Sequence, residues 1–493
     1  MAVADGIAGL GPPLGAASAT ALARPSGGVK FFYSLGQFVE SGYLGVNGFL
    51  FFYYTAVLGL SGSMVGVALF ISMCVDAIAD PFIGSFSDGI RSKFGRRLPV
   101  MLAAAPLTML TMGLLFSPIS GLSPLLLFGW LTLTKMGVRF FASVFNIPYF
   151  ALAGELTDDY AERARIVAYR LLGGIVIGVL ITFLAYSIFF AGEGGLQMPE
   201  RYPAFGWTIA AIVLAGAVIS CAGIWRYAAG LPQPTTRLEP MSRRFLGELV
   251  EMLRNPTFLR LFLAMLIFAT AAGVHAAVQT HTYVFVWKLR PELIQFNTYG
   301  LLLGITAGIP LSPQLLKRFE KKTVVLIGFA TVIVAYLLLP GIRAAGLFRP
   351  TGMTALPWIV LTTFSAGVGS GLIFIALPSM MSDAADEHEY RYGTRREGLF
   401  FSGLSFAGKS AAGLGLLVGG GALDMLNFPR EVGRQLHPVL SEGLLAGLVL
   451  VWGPLCALIS LAGALVFAPY AIDRARHAAM MGEIKVRRAA AVT

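Results

Sequence analysis

Two aspartates four residues apart, Asp76 and Asp80 in VDAIADPFIG, lie in an otherwise apolar stretch. Side chains at that spacing stack on one face of a helix. Paired carboxylates can give hard oxygen ligands to a cation such as Na⁺, or can share a proton, because two like charges so close resist ionising together. The bland alternative is a permanent ion pair that only locks helices. Candidate basic partners are available. Lys409 lies in another apolar run, and Lys135 and Arg139 lead a stripe with Ser143, Asn146 and Phe150 at intervals of four, four, three and four. Such intervals keep residues on one helical face. Arg139 could neutralise an aspartate while Lys135 snorkels outward, or it could grip a carboxylate or phosphate on a solute. Glu40 is a third apolar-embedded acid. Gln279, His281 and Tyr283 alternate instead of following the helical period, so a hydrogen-bonded packing role is expected for His281 rather than proton relay.

Lys409 also closes the string GLSFAGKS, Gly403 to Ser410, which fits the phosphate-loop pattern G-x-x-x-x-G-K-[ST]. That pattern works only between a strand and a helix of a soluble domain, where bare backbone N–H groups face a phosphate. Here the composition rules the context out. Of 493 residues 56% are hydrophobic and only 13% charged, and the mean hydropathy is +0.74. A soluble domain carries roughly 25% charged residues. The chain is therefore expected to be a polytopic membrane protein and not an enzyme, with neither nucleotide nor nucleic acid as partner. Its net charge of +11 reads as basic loops facing the cytoplasm. Cys74, Cys221 and Cys456 fall far apart in apolar runs and are read as packing residues.

The elements that must position these groups are membrane helices. Crossing about 30 Å of hydrocarbon takes roughly 20 residues, and such stretches occur near 30–58, 63–88, 98–117, 123–151, 167–192 and 204–228, then 257–288, 296–316, 322–343, 356–381, 398–423 and 443–472. Basic residues collect in alternate loops: Arg91, Lys93, Arg96 and Arg97; Lys317, Arg318, Lys321 and Lys322; Arg391, Arg395 and Arg396. Positive loops inside place both termini in the cytoplasm. The expected organisation is a disordered tail at 1–28, a six-helix bundle at 29–228, a linker at 229–256, a second bundle at 257–472 and a tail at 473–493. A weak internal repeat supports two halves: Pro148 precedes Arg165 by 17 residues, and Pro378 precedes Arg395 by the same number. Two six-helix halves related by an axis along the membrane normal describe the all-α major facilitator fold of 12 transmembrane helices. Gly174/Gly178, Gly367/Gly371 and Gly415/Gly419 fit the small-xxx-small pattern of close helix packing.

Three blocks carry a family resemblance: DAIADPFIGSFSDGIRSKFGRRLP, NIPYFALAGELTDDYAERARIVAYR and DAADEHEYRYGTRREGLFFSGLSFAGKS. Together they resemble the glycoside–pentoside–hexuronide:cation symporters, the family of the melibiose permease. The resemblance implies alternating access that couples a sugar, glycoside or sugar acid to Na⁺ or H⁺. It implies no cofactor other than that ion, and a cation site at Asp76, Asp80 and Ser143. It further implies a solute site at Glu40, Asn146, Phe150, Arg170 and Lys409, to which Arg139 is added. Ala79 stands where the permease has an asparagine, so one cation oxygen is missing. Asn146 and Phe150 replace an aspartate and a tryptophan, which with Arg139 tilts the expectation toward an anionic solute. A lysolipid carrier on the same scaffold is the alternative. The loop carrying Asp88, Arg91, Arg96 and Arg97 is expected to latch the two halves on the cytoplasmic side, as is the cluster of Asp383, Asp386 and Arg395. A monomer in the bacterial inner membrane is expected.

Overall fold

The computed structural model describes residues 24–90, 92, 95–157, 159–230, 252–393, 397–430, 432–435 and 438–490. Among them the regular structure is all helical. In the first half α1 runs as Gly27–Leu35 and Gln37–Phe52, bending at Gly36 and ending in a π turn, Tyr53–Val57. Then come α2 (Gly62–Gly89), α3 (Leu98–Leu115), α4 (Pro124–Glu155), α5 (Tyr160–Phe183, with a π turn at Leu184–Phe189) and α6 (Arg201–Ala229). The second half repeats the series as α7 (Pro256–His281, with a π turn at Thr282–Val286), α8 (Pro291–Arg318), α9 (Lys321–Ala344), α10 (Leu356–Tyr392) and α11 (Glu397–Met425). It ends with α12, composed of Glu442–Leu450, a π turn at Val451–Leu455 and Cys456–Phe467. The helices match the expected spans to within a few residues at most ends; α5 and α8 start earlier, at Tyr160 and Pro291, α10 runs on to Tyr392 and α12 ends sooner, at Phe467. Ten are long and apolar enough to cross a membrane. That count is of the described residues, in which the apolar stretch Gly62–Asp76 of α2 adds a shorter helix.

Capping residues mark the starts. Ser61, Ser123, Asp159, Asn255 and Ser441 each accept a hydrogen bond from a backbone N–H in the first turn that follows, one of the orphan donors of a helix N-terminus. The repeat is visible in the structure too. The first helix of each half ends in a π turn, and the fourth helix of each half holds an interior proline, Pro148 or Pro378.

The segment expected as a tail at 473–493 forms α13 (Arg474–Ala490). It docks on the end of α10 through a two-pronged Arg488–Glu389 ion pair at 2.6 and 2.8 Å. Its own Met480 and Ile484 are buried. At the other terminus the helix already starts at Gly27, inside the stretch expected to be disordered, and residues 1–23 lie outside the described ones.

The face bearing the two termini is called the terminal face, and the opposite one the far face. The halves meet tightly at the far face. The large apolar core continues there from Tyr53, Tyr54 and Phe116 of the first half into Tyr283, Trp287 and Trp452 of the second. A separate core, around Phe258, Phe329, Met380 and Phe400, belongs to the second half alone.

Candidate functional site

Helix α2 carries Asp76 and Asp80 at mid-length, and α4 presents the basic stripe to it. The Arg139 guanidinium donates to Asp76 Oδ2, and the Ser143 hydroxyl donates to Asp76 Oδ1 at 2.5 Å. Both oxygens of this carboxylate, only 2% exposed, are thus engaged. Arg139 also faces Glu40 of α1 at 3.7 Å, and Asn146 Nδ2 donates to Glu40 Oε2 at 2.6 Å. From the other half, Lys409 of α11 reaches Asp80 Oδ2 at 3.1 Å and Asp76 Oδ2 at 3.7 Å. Glu40, Asp76, Asp80, Arg139, Ser143, Asn146 and Lys409 therefore converge on one cluster. Arg139 neutralises Asp76 in this conformation, which is the helix-locking alternative and not a free clamp. Asp80 Oδ1 is buried without a hydrogen-bond partner.

Lys135 corrects an expectation. It does not snorkel outward but is 2% exposed, donating to Asn47 Oδ1 of α1 and lying 4.2 Å over the Tyr43 ring. The cause is α1: Glu40, Tyr43 and Asn47 follow the helical period and offer α4 a polar face. Tyr43 and Asn47 escaped sequence reasoning, although their spacing from Glu40 was a readable signal.

Phe150 and Arg170 stand apart from the cluster, toward the terminal face. The Arg170 guanidinium sits 4.9 Å over the Phe150 ring. Beside them Tyr33 and Tyr149 stack at 4.5 Å and exchange hydroxyl-to-carbonyl hydrogen bonds across α1 and α4.

The cluster opens onto water between the halves. Lys409 is twelve residues into α11, yet its side chain is 45% exposed while reaching across to α2. Its reach from one bundle to the other places that exposure at the seam between the halves. Beyond Lys409 each helix turns back to its own half: Gly403 packs toward Phe258 of α7, and Gly84 toward Ile147 of α4. The seam therefore widens toward the terminal face into a chamber. GLSFAGKS forms two turns of α11, its backbone committed to the helix.

At the terminal face, Arg96 and Arg97 converge on Glu155, Arg97 at 2.9 Å, and Arg97 also donates to Ser87 at 2.9 Å. These bonds stay inside the first half and do not latch one half to the other in this conformation. Arg91, Arg395 and the side chain of Asp88 lie outside the described residues. In the second half Asp383 pairs with Lys321 at 2.7 Å, and Asp386 with His477 of α13 at 3.1 Å. His477 was not foreseen, because residues 473–493 are read from the sequence only as a tail, with no role given to them.

His281 is fully buried, its Nε2 2.8 Å from the Thr55 hydroxyl and its ring edge-on to Phe428. It packs and bonds across the halves at the far face, as expected of a packing histidine. Cys221 and Cys456 are buried.

Two helix bundles closed at one face, with a charged, water-reached cluster at mid-membrane, define a secondary transporter of the major facilitator fold. Residues 37–474 match the family described as MFS/sugar transport protein, and the chain belongs to that family, among its glycoside–cation symporters. It is 26% identical to the isoprimeverose transporter of Lactiplantibacillus pentosus, over 79% of this chain and 78% of that one. It is likewise 26% identical to a glucuronide carrier protein homolog of Escherichia coli, over 78% and 80%. A putative sulfoquinovose importer of Salmonella typhimurium is 24% identical, over 93% of both. Among solved structures, a mutant of the nucleoside transporter NupG superposes with a TM-score of 0.60 at 15% identity, covering 89% of this chain and 98% of that one. A bacterial homolog of the lysosomal transporter Spinster, inward-facing and unoccupied, gives 0.58 at 15%, covering 91% and 98%. Those two likenesses speak to the fold alone. The chain is a cation-coupled symporter of sugar-type solutes, and the lysolipid alternative is not favoured.

Proposed function

We propose that this chain imports a sugar acid or an acidic glycoside together with a proton, by alternating access across a bacterial inner membrane. The terminal face is cytoplasmic, as the basic residues of its loops require, so the described conformation is open to the inside. Asp80 takes the coupling proton. The observation that carries this is the state of the carboxylate oxygens. A hard cation is held by several oxygen ligands, but Asp76 already spends both of its oxygens on Ser143 and Arg139, and Ala79 adds none. Two resident cations, Arg139 and Lys409, already pair with the two aspartates. Asp80 Oδ1, buried and without a partner, is left to accept a proton. Protonation loosens Asp80 from Lys409 and frees an ammonium facing the chamber for the solute. Glu40, Asn146, Phe150 and Arg170 complete the chamber, the last two offering a ring and a guanidinium to a sugar.

The solute's acidic group is the second half of the reading. Sugar acids figure among the relatives' names, as a glucuronide carrier homolog and a sulfoquinovose importer. Within the chain, the Lys135 amino group is buried against an amide oxygen and an aromatic ring. Proteoliposomes with imposed gradients test the proposal. An inward pH gradient should drive accumulation of a glucuronide and a Na⁺ gradient should not, and Asp80→Asn should keep downhill equilibration while losing accumulation. Accumulation driven by Na⁺ alone would remove the proton assignment. No uptake of any glycoside or sugar acid would remove the whole reading.

A further inference from the structure

Asp424 is the penultimate residue of α11, a place where an anion is poorly tolerated. The last turn of a helix carries partial negative charge from its unpaired carbonyls, and this turn holds no basic residue. Among the described residues Asp424 makes no ion pair. It instead reaches the other half. The Gly62 N–H donates to Asp424 Oδ1 at 2.8 Å and the Ser63 N–H to Oδ2 at 2.8 Å. These are the first two N–H groups of α2, and Ser61 Oγ accepts the third, from Met64, at 3.3 Å. A helix N-terminus carries positive partial charge and unsatisfied donors, so one carboxylate from the second half completes the cap of a helix in the first.

The backbones are shaped for this approach. A methyl group on Gly62 would collide with the Gly420 carbonyl oxygen, and one on Gly420 with that of Gly62. Gly66, one turn on, lies against the backbone of Leu416 and Leu417. Thr55–His281 at 2.8 Å, Ser187–Gln295 at 3.1 Å and Gly192–Glu292 at 2.6 Å close the rest of the far face.

We propose that Asp424 is the latch of the far gate: its carboxylate holds the halves shut by capping α2 and must release that cap once in every cycle. Opening the far face parts α2 from α11. It strips two donors from the carboxylate and returns Asp424 to the unfavourable end of its own helix dipole. The latch is therefore specific to one state, unlike the caps formed within a single half.

The inference rests on the alternating-access reading, and spin-label distances separate the two. With Cys74, Cys221 and Cys456 replaced, full-length protein in nanodiscs is labelled in pairs across the far face (Ser120 with Leu347) and across the terminal face (Ala164 with Lys317). All four positions are exposed. Electron–electron resonance then reads both distances with and without the chosen sugar acid. In Asp424→Ala the minor far-open population should grow about tenfold, a 1.4 kcal/mol shift, as the terminal pair shortens. Asp424→Asn, which keeps the shape and loses the charge, should move both pairs the same way by less. Distributions that superimpose on the parent's overturn the latch, and so does a broadened far pair beside an unchanged terminal pair, since that is loosened packing. A parent whose two distances never respond to solute overturns alternating access itself.

Discussion

A lysine buried at mid-membrane with only an amide oxygen and a ring for company is the least expected residue in this chain. Charged side chains at that depth cost roughly 2.5–3.5 kcal/mol on insertion scales, so Lys135 must be balanced over a longer range. The cluster supplies the balance: Glu40, Asp76 and Asp80 pair with Arg139 and Lys409, and Lys135 lies one turn along α4 from Arg139, three acids for three bases. Adding a coupling proton to Asp80 tips the set to a net positive charge, which an acidic solute would restore. Replacing Lys135 with methionine should therefore raise KM for a glucuronide at least about tenfold, or 1.4 kcal/mol, and raise it much less for a neutral glycoside. Lys135→Arg should recover part of the difference. The check is initial-rate uptake of both solutes in the same vesicles, and a parallel loss for both would assign Lys135 to packing.

Between elements, contact depends on residues without side chains. Gly367 and Gly371 of α10 lie against the backbone of α8: a methyl group on Gly367 would stand 2.5 Å from the Leu301 carbonyl oxygen, and one on Gly371 2.8 Å from that of Ile305. Gly415 meets the α7 backbone in the same way, at the Thr270 carbonyl oxygen, and Gly419 lies against the Ala277 methyl group. Gly174 and Gly178 share the pattern, yet nothing lies within 4 Å of a methyl group on Gly178. Alanine should thus separate them by sign. Gly367→Ala forces backbone apart and should destabilise by about 1–3 kcal/mol, whereas Gly178→Ala should stabilise by about 0.5–1 kcal/mol through its better helix propensity. Thermal unfolding in one detergent measures both. The contrast also shows what a sequence can carry. Span positions and small-residue stripes follow from composition and period, so they were readable, as was the face shared by Lys135, Arg139, Ser143 and Asn146. Which helix each stripe meets depends on pairings hundreds of residues apart. Asp424 meeting Gly62 left no local trace, and α13 was masked by its charge.

Across the whole molecule the asymmetry of closure decides what a bound solute can do. The far face is sealed by a continuous apolar core and by polar bonds between the halves, while at the terminal face the pairs Arg97–Glu155 and Lys321–Asp383 each lie within one half. Solute entering the open chamber meets Lys409 and Asp80, one from each half, and so bears on the mid-membrane ion pairs of Lys409 with Asp80 and Asp76 that join the halves. If Asp80 must be protonated before Lys409 can turn to the solute, proton and solute binding are linked, and linkage is reciprocal. Calorimetry on the purified transporter makes this countable. Near neutral pH, binding of a sugar acid repeated in buffers of different ionisation enthalpy should show net uptake of protons, approaching one per solute. In Asp80→Asn that uptake should vanish while some affinity remains, because the amide mimics the protonated acid. The sign follows from the order of events: a group that binds its proton more tightly in the loaded state takes one up on loading, so affinity falls as pH rises. Affinity that ignores pH but tightens with Na⁺ at constant ionic strength would show that the resident cations yield their place to a metal ion, and the proton scheme would be abandoned.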